Sequence, residues 1–333
     1  MSTLSQMFPP SPTFTEKNLV DLSSKVYIVT GATAGVGLEL AKILYSLHAT
    51  VYIGGRSLSR CQEAANAIKT ADPSSKGTIK PFVADLANLA TVKGAVAEFL
   101  KAEHRLDVLF LNAGVMQPPD GSKTKDGYDL EMGVNCLSNF LFVKLLTPIM
   151  EATSSHFCHP NPSVRVVWVA SCLDIGTPQG GVQFPSTVAA DPSCKPPMAQ
   201  YMQTKAGIYF LAHEFFQRSE TVASVANPSM TNSNRVMHVS LHPGFMRTEL
   251  QRHMPAAARA VMSVTTKGPK YGAYTELYGG LAPQTENGAF YWPWGRKGEV
   301  PEHLIASTKK GENSQSVSEK FYDWCEEQVK SFM

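Results

Sequence analysis

From Ser24 onward the chain alternates short apolar runs with stretches of helical period, and nothing else in the sequence constrains its fold as strongly. The expected order opens with a strand at Lys25–Thr30, a helix at Gly35–His48, a strand at Thr50–Gly54 and a helix at Leu58–Thr70. It continues with a strand at Thr78–Ala84, a helix at Leu89–Glu103 and a strand at Asp107–Leu111. A long helical stretch from Asp126 to Met150 then precedes a strand at Val164–Val169 and a helix at Met198–Arg218. Strands at Arg235–Leu241 and Gly288–Trp292 close the series. Alternation at this spacing predicts parallel strands joined by right-handed crossovers. The expected class is therefore α/β: a single doubly wound domain with a parallel sheet of about seven strands, flanked by helices.

Composition fits that expectation. Apolar residues make up 43% and charged residues 17%, against the roughly 25% charge of an average globular protein. Parallel strands buried on both faces need such a balance, and a disordered chain shows the opposite one. The net charge of +2 comes from scattered Lys and Arg, so no nucleic-acid partner is expected. The cysteines at 61, 136, 158, 172, 194 and 325 form no Cys-x-x-Cys pair. That spacing argues against a disulfide framework and against a metal site, and it favours a reducing, cytoplasmic address. No run approaches 18 continuous apolar residues, so no membrane span is expected.

Residues 1–22 read as an N-terminal arm on the surface, 23–300 as a dinucleotide-binding catalytic domain, and 301–333 as a C-terminal helical extension. In the extension Val317, Phe321, Trp324 and Cys325 form one helical stripe that caps the core. Asp174–Pro197 is a long Pro- and Gly-containing loop, and Arg247–Lys270 begins just past a strand end, where a lid often sits.

The first strand runs into Thr30-Gly31-Ala-Thr33-Ala-Gly35-Val36-Gly37 and then directly into a helix. Glycines here let the chain turn tightly and let its backbone approach a pyrophosphate at the helix start, as in a Rossmann fold. Taken alone, three glycines also suit any tight strand–helix turn. The second strand ends in Gly54-Gly55-Arg56, with no acid between Thr50 and Arg60. An acid there would bind ribose hydroxyls, whereas Arg56, which Arg60 could assist, would accept a 2′-phosphate, so NADP(H) is favoured over NAD(H). Tyr201 and Lys205 lie four apart in a stretch that reads helical, which puts phenol and ammonium on one face. A cation near a phenol lowers its pKa from about 10 towards a useful range. The same pair in isolation is common on exposed helices.

Together these segments resemble the short-chain dehydrogenase/reductase family. Thr30–Gly37, Asp85-Leu86, Asn112-Ala113-Gly114, Asn135, Ser171, Tyr201/Lys205 and Pro243-Gly244…Thr248 follow the family's order. Asn287–Tyr291 and the Trp324 helix look like its retinol-dehydrogenase-like branch and fungal secondary-metabolism relatives. By that resemblance Tyr201 donates a proton to a carbonyl oxygen, Ser171 polarises it, and Lys205 holds the nicotinamide ribose and tunes Tyr201. Asn135 would anchor a water linking Lys205 to solvent. Gly31, Thr33, Gly35, Val36 and Gly37 would cradle the cofactor, Asp85 and Leu86 would hold its adenine, and Asn112, Ala113 and Gly114 would stabilise the central sheet and line the cofactor trough. Pro243, Gly244, Met246 and Thr248 would hold its carboxamide end. Three departures stand out: Ala170 precedes Ser171 where another Ser is frequent, Ala34 is not basic, and Ser171 and Tyr201 are unusually far apart in sequence.

Candidate pocket walls are Cys172, Leu173, Asp174, Phe184, Phe245, Met246, Leu250 and Met254. They imply a bulky, mostly apolar carbonyl or alcohol as the small-molecule partner, and a homodimer remains open. The expected function is an NADP(H)-dependent ketoreductase or alcohol dehydrogenase. The alternatives are a cofactor-binding protein without turnover and a repurposed isomerase or cyclase.

Overall fold

The computed structural model describes residues 3–157, 164–184, 197–226, 235–253, 266–312 and 314–333. Strands β1 (Val26–Val29), β2 (Thr50–Gly55), β3 (Thr78–Val83), β4 (Val108–Leu111), β5 (Arg165–Val169), β6 (Met237–Leu241) and β7 (Phe290–Trp292) pair in parallel. A two-residue β8 (Arg296–Lys297) adds antiparallel to the edge, in the order β3-β2-β1-β4-β5-β6-β7-β8. The fold is the expected doubly wound one, with eight strands rather than seven.

Strand side chains alternate between two cores. Val26, Ile28, Val166 and Trp168 face one layer, and Tyr27, Val29, Val167 and Val169 face the other. Because both faces are apolar, each strand reads as a continuous hydrophobic run. Helices α2 (Gly35–Ser46), α3 (Leu58–Ala71) and α8 (Pro269–Leu281) cover one face. The other is covered by α4 (Leu89–Ala102), α6 (Ser138–Phe157), α7 (Pro197–Ala226) and the C-terminal α10 (Val317–Val329). Short helices α1 (Thr3–Met7), α5 (Leu130–Met132) and α9 (Glu302–Ser307) complete the set. A π-turn at Gly133–Leu137 joins α5 to α6.

The stretch Leu130–His156 is long and apolar enough to cross a membrane by length and composition, yet 72% of its most apolar window is buried inside the fold. Its hydrophobicity is that of a core helix packed on α4 and the sheet. The N-terminal segment is anchored rather than merely laid on the surface. Phe14 meets the Tyr278 ring edge-on at 5.6 Å, Leu22 is buried, and Lys270 pairs with Glu16 at 3.0 Å. Phe321, Tyr322 and Cys325 of α10 belong to the same core as β5 and α7.

β1 and β4 are neighbours in the sheet while their following helices leave to opposite faces, so a crevice opens at their carboxyl ends.

Candidate active site

A cavity of about 540 Å³ occupies that crevice, within the usual range for small-molecule sites. Its floor depends on Thr30 and Asn112, which stitch β1 to β4. Ala113 N donates to Thr30 Oγ1 at 3.0 Å, and Asn112 Nδ2 donates to the Thr30 carbonyl at 2.8 Å. Gly31 (φ 67°) and Gly35 (φ 58°) turn the chain through the left-handed region. Ala34 supplies no capping side chain to α2 and the first turn holds no acid, so the free amides of the helix start face the cavity. That end of the cavity is suited to an anion.

Gly31, Thr33, Gly35, Val36, Arg56, Asp85, Leu86, Asn112, Ala113, Gly114, Tyr201, Lys205, Pro243, Gly244, Met246 and Thr248 all line it, as expected. Gly37 does not. A Cβ on Gly37 would lie 2.5 Å from Asn112 Nδ2 and 2.9 Å from the Gly31 carbonyl, so this glycine serves close packing of helix on strand. Arg56 and Arg60 are exposed at the far end of the cavity, and neither is ion-paired with a described residue.

At the other end three elements deliver polar side chains to one place. Ser171 follows β5, and Tyr201 and Lys205 project from successive turns of α7. Ser171 stands close enough to the Tyr201 hydroxyl, across 30 residues of sequence, to pull its pKa down. Lys205 Nζ donates to the Val169 carbonyl at 2.9 Å and lies 5.6 Å from the Tyr201 ring centre. Asn135, fully buried in the π-turn, spends its amide on protein partners. Oδ1 accepts from Val115 N at 2.9 Å, while Nδ2 donates to the Val115 carbonyl at 3.0 Å and to Thr204 Oγ1 at 2.9 Å. The side chain expected to anchor a water therefore clamps the end of β4 to α7.

The electrostatics of the pair run opposite to the sequence-based expectation. Burial, reinforced by the Glu131 charge, pushes the Tyr201 phenol well above its ordinary value, and Ser171 only partly offsets this. Burial pulls Lys205 down to about 8, against the opposing influence of Cys136, Glu131 and Glu276. Desolvation is the largest cause of both shifts.

The pocket wall is partly as expected. Cys172, Phe245, Met246 and Leu250 line the cavity. Leu173 turns into the core instead, Asp174 is exposed and bonded to Gln6, and Phe184 packs on Phe321. Met254 lies outside the described residues. The structure adds Met116, Ile175, Met198 and Met202, with Met116, Tyr201 and Met202 forming one small cluster. A sequence signal existed only for Met202, one residue past Tyr201. His242 also lines the cavity, its Nδ1 accepting from Gly244 N at 3.3 Å.

A profile described as short chain dehydrogenase matches residues 25–171. A short-chain dehydrogenase/reductase of Phomopsis amygdali is 38% identical over 98% of this chain and 96% of its own length. The chain belongs to the short-chain dehydrogenase/reductase family. Two further members are each 35% identical: bet4 of Neocamarosporium betae, over 100% of this chain and 94% of its own, and pkfC of Emericella nidulans, over 97% and 98%. Among solved structures, an uncharacterized protein of Mycobacterium Paratuberculosis superposes with a TM-score of 0.64 at 19% identity, covering 96% of this chain and 98% of the other. The Pseudomonas aeruginosa RhlG/NADP active-site complex gives 0.59 at 20% identity, covering 81% and 94%. These two share the fold.

As a short-chain dehydrogenase/reductase the chain is a member of an oxidoreductase family that binds nicotinamide cofactors and acts on small molecules. Tyr201, Lys205 and Thr248 fall beyond the matched profile but within the span aligned to its full-length relatives. Their place in the site rests on the geometry above.

Proposed function

We propose that this protein is an NADP(H)-dependent reductase of a bulky, mostly apolar ketone, or dehydrogenase of the matching alcohol. The observation that carries the reading is the convergence of Ser171, Tyr201 and Lys205 in the same cavity that ends at Arg56 and Arg60. The residues present fit a phosphorylated dinucleotide. The uncapped start of α2 suits its pyrophosphate, Arg56 and Arg60 its 2′-phosphate, Asp85 and Leu86 its adenine, and Pro243, Gly244 and Thr248 its carboxamide. When bound, the cofactor supplies or accepts the hydride.

The chain's own groups handle the proton and the orientation. Tyr201, kept protonated by burial, donates its phenolic proton to the substrate oxygen, and Ser171 holds that oxygen by a hydrogen bond. Lys205 supplies positive charge as phenolate develops and binds ribose hydroxyls. Asn135 holds the Val115 backbone and donates to the Thr204 hydroxyl, which itself donates to the Tyr201 carbonyl, so that Tyr201 and Lys205 stay aimed at the crevice.

Met116, Met202, Ile175 and Phe245 make the substrate end apolar and adaptable in shape, which favours a bulky carbonyl compound. The fungal relatives make a secondary metabolite the first candidate. The free thiols of Cys61, Cys136, Cys172 and Cys325 suit a reducing compartment, the cytoplasm. Turnover of a panel of aromatic, terpenoid and polyketide ketones, followed as NADPH loss at ~340 nm with product analysis, tests the reading. Alcohol formed in step with NADPH consumed is the expected result. Binding of NADPH without consumption across the panel would contradict it.

A further inference from the structure

Glu131 bears on Tyr201 and Lys205 through its charge but does not line the cavity; it is buried to 2% exposure on α5. Its Oε1 accepts from the Gln117 amide at 2.6 Å. Gln117 has φ 47°, a left-handed conformation that a glutamine holds only when its surroundings enforce it. The preceding residue, Met116, is buried against Tyr201 and Met202, with Leu250 packed on the same cluster. The helix that carries Glu131 is itself fixed. Asp129 caps it, accepting from Met132 N at 3.0 Å, and accepts Gln200 Nε2 from the first turn of α7 at 3.1 Å. Glu131 therefore connects a rigid support to one strained backbone turn, and that turn aims the methionine lying next to Tyr201.

A carboxyl is a costly way to satisfy one amide in a buried place, because its second oxygen must also be desolvated. An apolar residue would fill the space at less cost but would leave the Gln117 amide without its acceptor and the turn without its hold. We propose that Glu131 is a positioning residue for the carbonyl substrate: it locks the Gln117 turn and thereby fixes Met116 as the wall that seats the substrate against Tyr201. This rests on the reading of the cavity as a ketone site. Glu131 acts on substrate placement and not on the cofactor, whose expected contacts lie on other elements.

The test uses the full chain, NADPH and the best ketone from the panel, with Glu131→Leu, Glu131→Gln and Met116→Ala compared with wild type. Glu131→Leu is expected to raise KM for the ketone about 10-fold relative to Glu131→Gln, which removes the same charge, while the NADPH dissociation constant, read by fluorescence titration, is unchanged. Glu131→Gln retains an acceptor oxygen and should restore KM to near the wild-type value. Met116→Ala should reproduce the KM increase, and it gives the same reading should Glu131→Leu not fold. The proposal is overturned by an unchanged KM in both Glu131→Leu and Met116→Ala, or by parallel losses in KM, kcat and NADPH affinity that glutamine does not rescue. Absence of turnover in wild type would overturn the functional reading together with this one. Wild-type turnover with indifferent variants would overturn this one alone.

Discussion

Lys205 reaches past the Tyr201 ring, 5.6 Å from its centre, to donate to the Val169 carbonyl at 2.9 Å. The cation is thus held by the strand that leads to Ser171, on a side chain whose charge burial already disfavours. Lys205 sits near 8, and Tyr201 is held above its ordinary range. As pH rises, the first proton to leave the pair comes from the ammonium.

Carbonyl reduction needs the protonated phenol and the cation beside it. kcat/KM for reduction is therefore expected to be flat at acid and neutral pH and to fall as pH rises through about 8. A pH–rate profile with NADPH checks this. A plateau extending beyond about pH 10 would show that Lys205 keeps its charge in the free enzyme.

Arg56 and Arg60 flank the cofactor end without ion-pair partners among the described residues. Arg56→Ala is expected to weaken NADPH by ~1–3 kcal/mol, the range for a hydrogen bond to a charged group, while leaving NADH nearly unaffected. Fluorescence titration with both dinucleotides measures the difference. Equal losses would remove the 2′-phosphate from the account.

Glu276 is fully buried on α8, and neither carboxylate oxygen has a hydrogen-bond partner. Burial pushes its carboxyl up to about 8, Lys205 opposing. The folded chain thus keeps a proton that the unfolded chain releases near 4.5, so stability falls as pH rises between those values. The full loss above pH 8 is on the order of 5 kcal/mol. Glu276→Gln should match wild type near pH 5 and exceed it at pH 8.5, as read from urea unfolding at ~25 °C. Parallel curves at both pH values would place the ionisation elsewhere.

The central strands were legible because each is buried on both faces, the edge strand β3 being partly exposed, and the bounds of the seven parallel strands differ from expectation by at most two residues. The helix Pro269–Leu281 was not, because Gly272, Gly279 and Gly280 weaken its helical signal. Those glycines are what let it lie close to its neighbours: a Cβ on Gly280 would meet the Phe110 ring at 2.4 Å, and one on Gly272 would meet Val36 at 2.9 Å. Sequence order brought out Ser171, Tyr201 and Lys205 because backbone spacing fixes where they project. It could not reach Met116, Glu131 or Glu276, whose importance depends on burial and on which distant element packs against them. Nor could it show that Leu173 turns into the core while its neighbour Cys172 faces the cavity, since the chain beyond β5 follows no regular period. The direction of the Tyr201 shift was also hidden, because desolvation is a property of the packed cavity and not of the Tyr201–Lys205 spacing.

The most direct measurement compares wild type with Tyr201→Phe for NADPH-coupled ketone reduction, with NADPH binding followed separately. Phenylalanine keeps the ring in the Met116–Met202 cluster and removes only the hydroxyl beside Ser171. The account predicts a loss of ~100-fold or more in kcat with NADPH affinity preserved. Reduction at a rate near wild type would contradict it, since the proton would then come from another group.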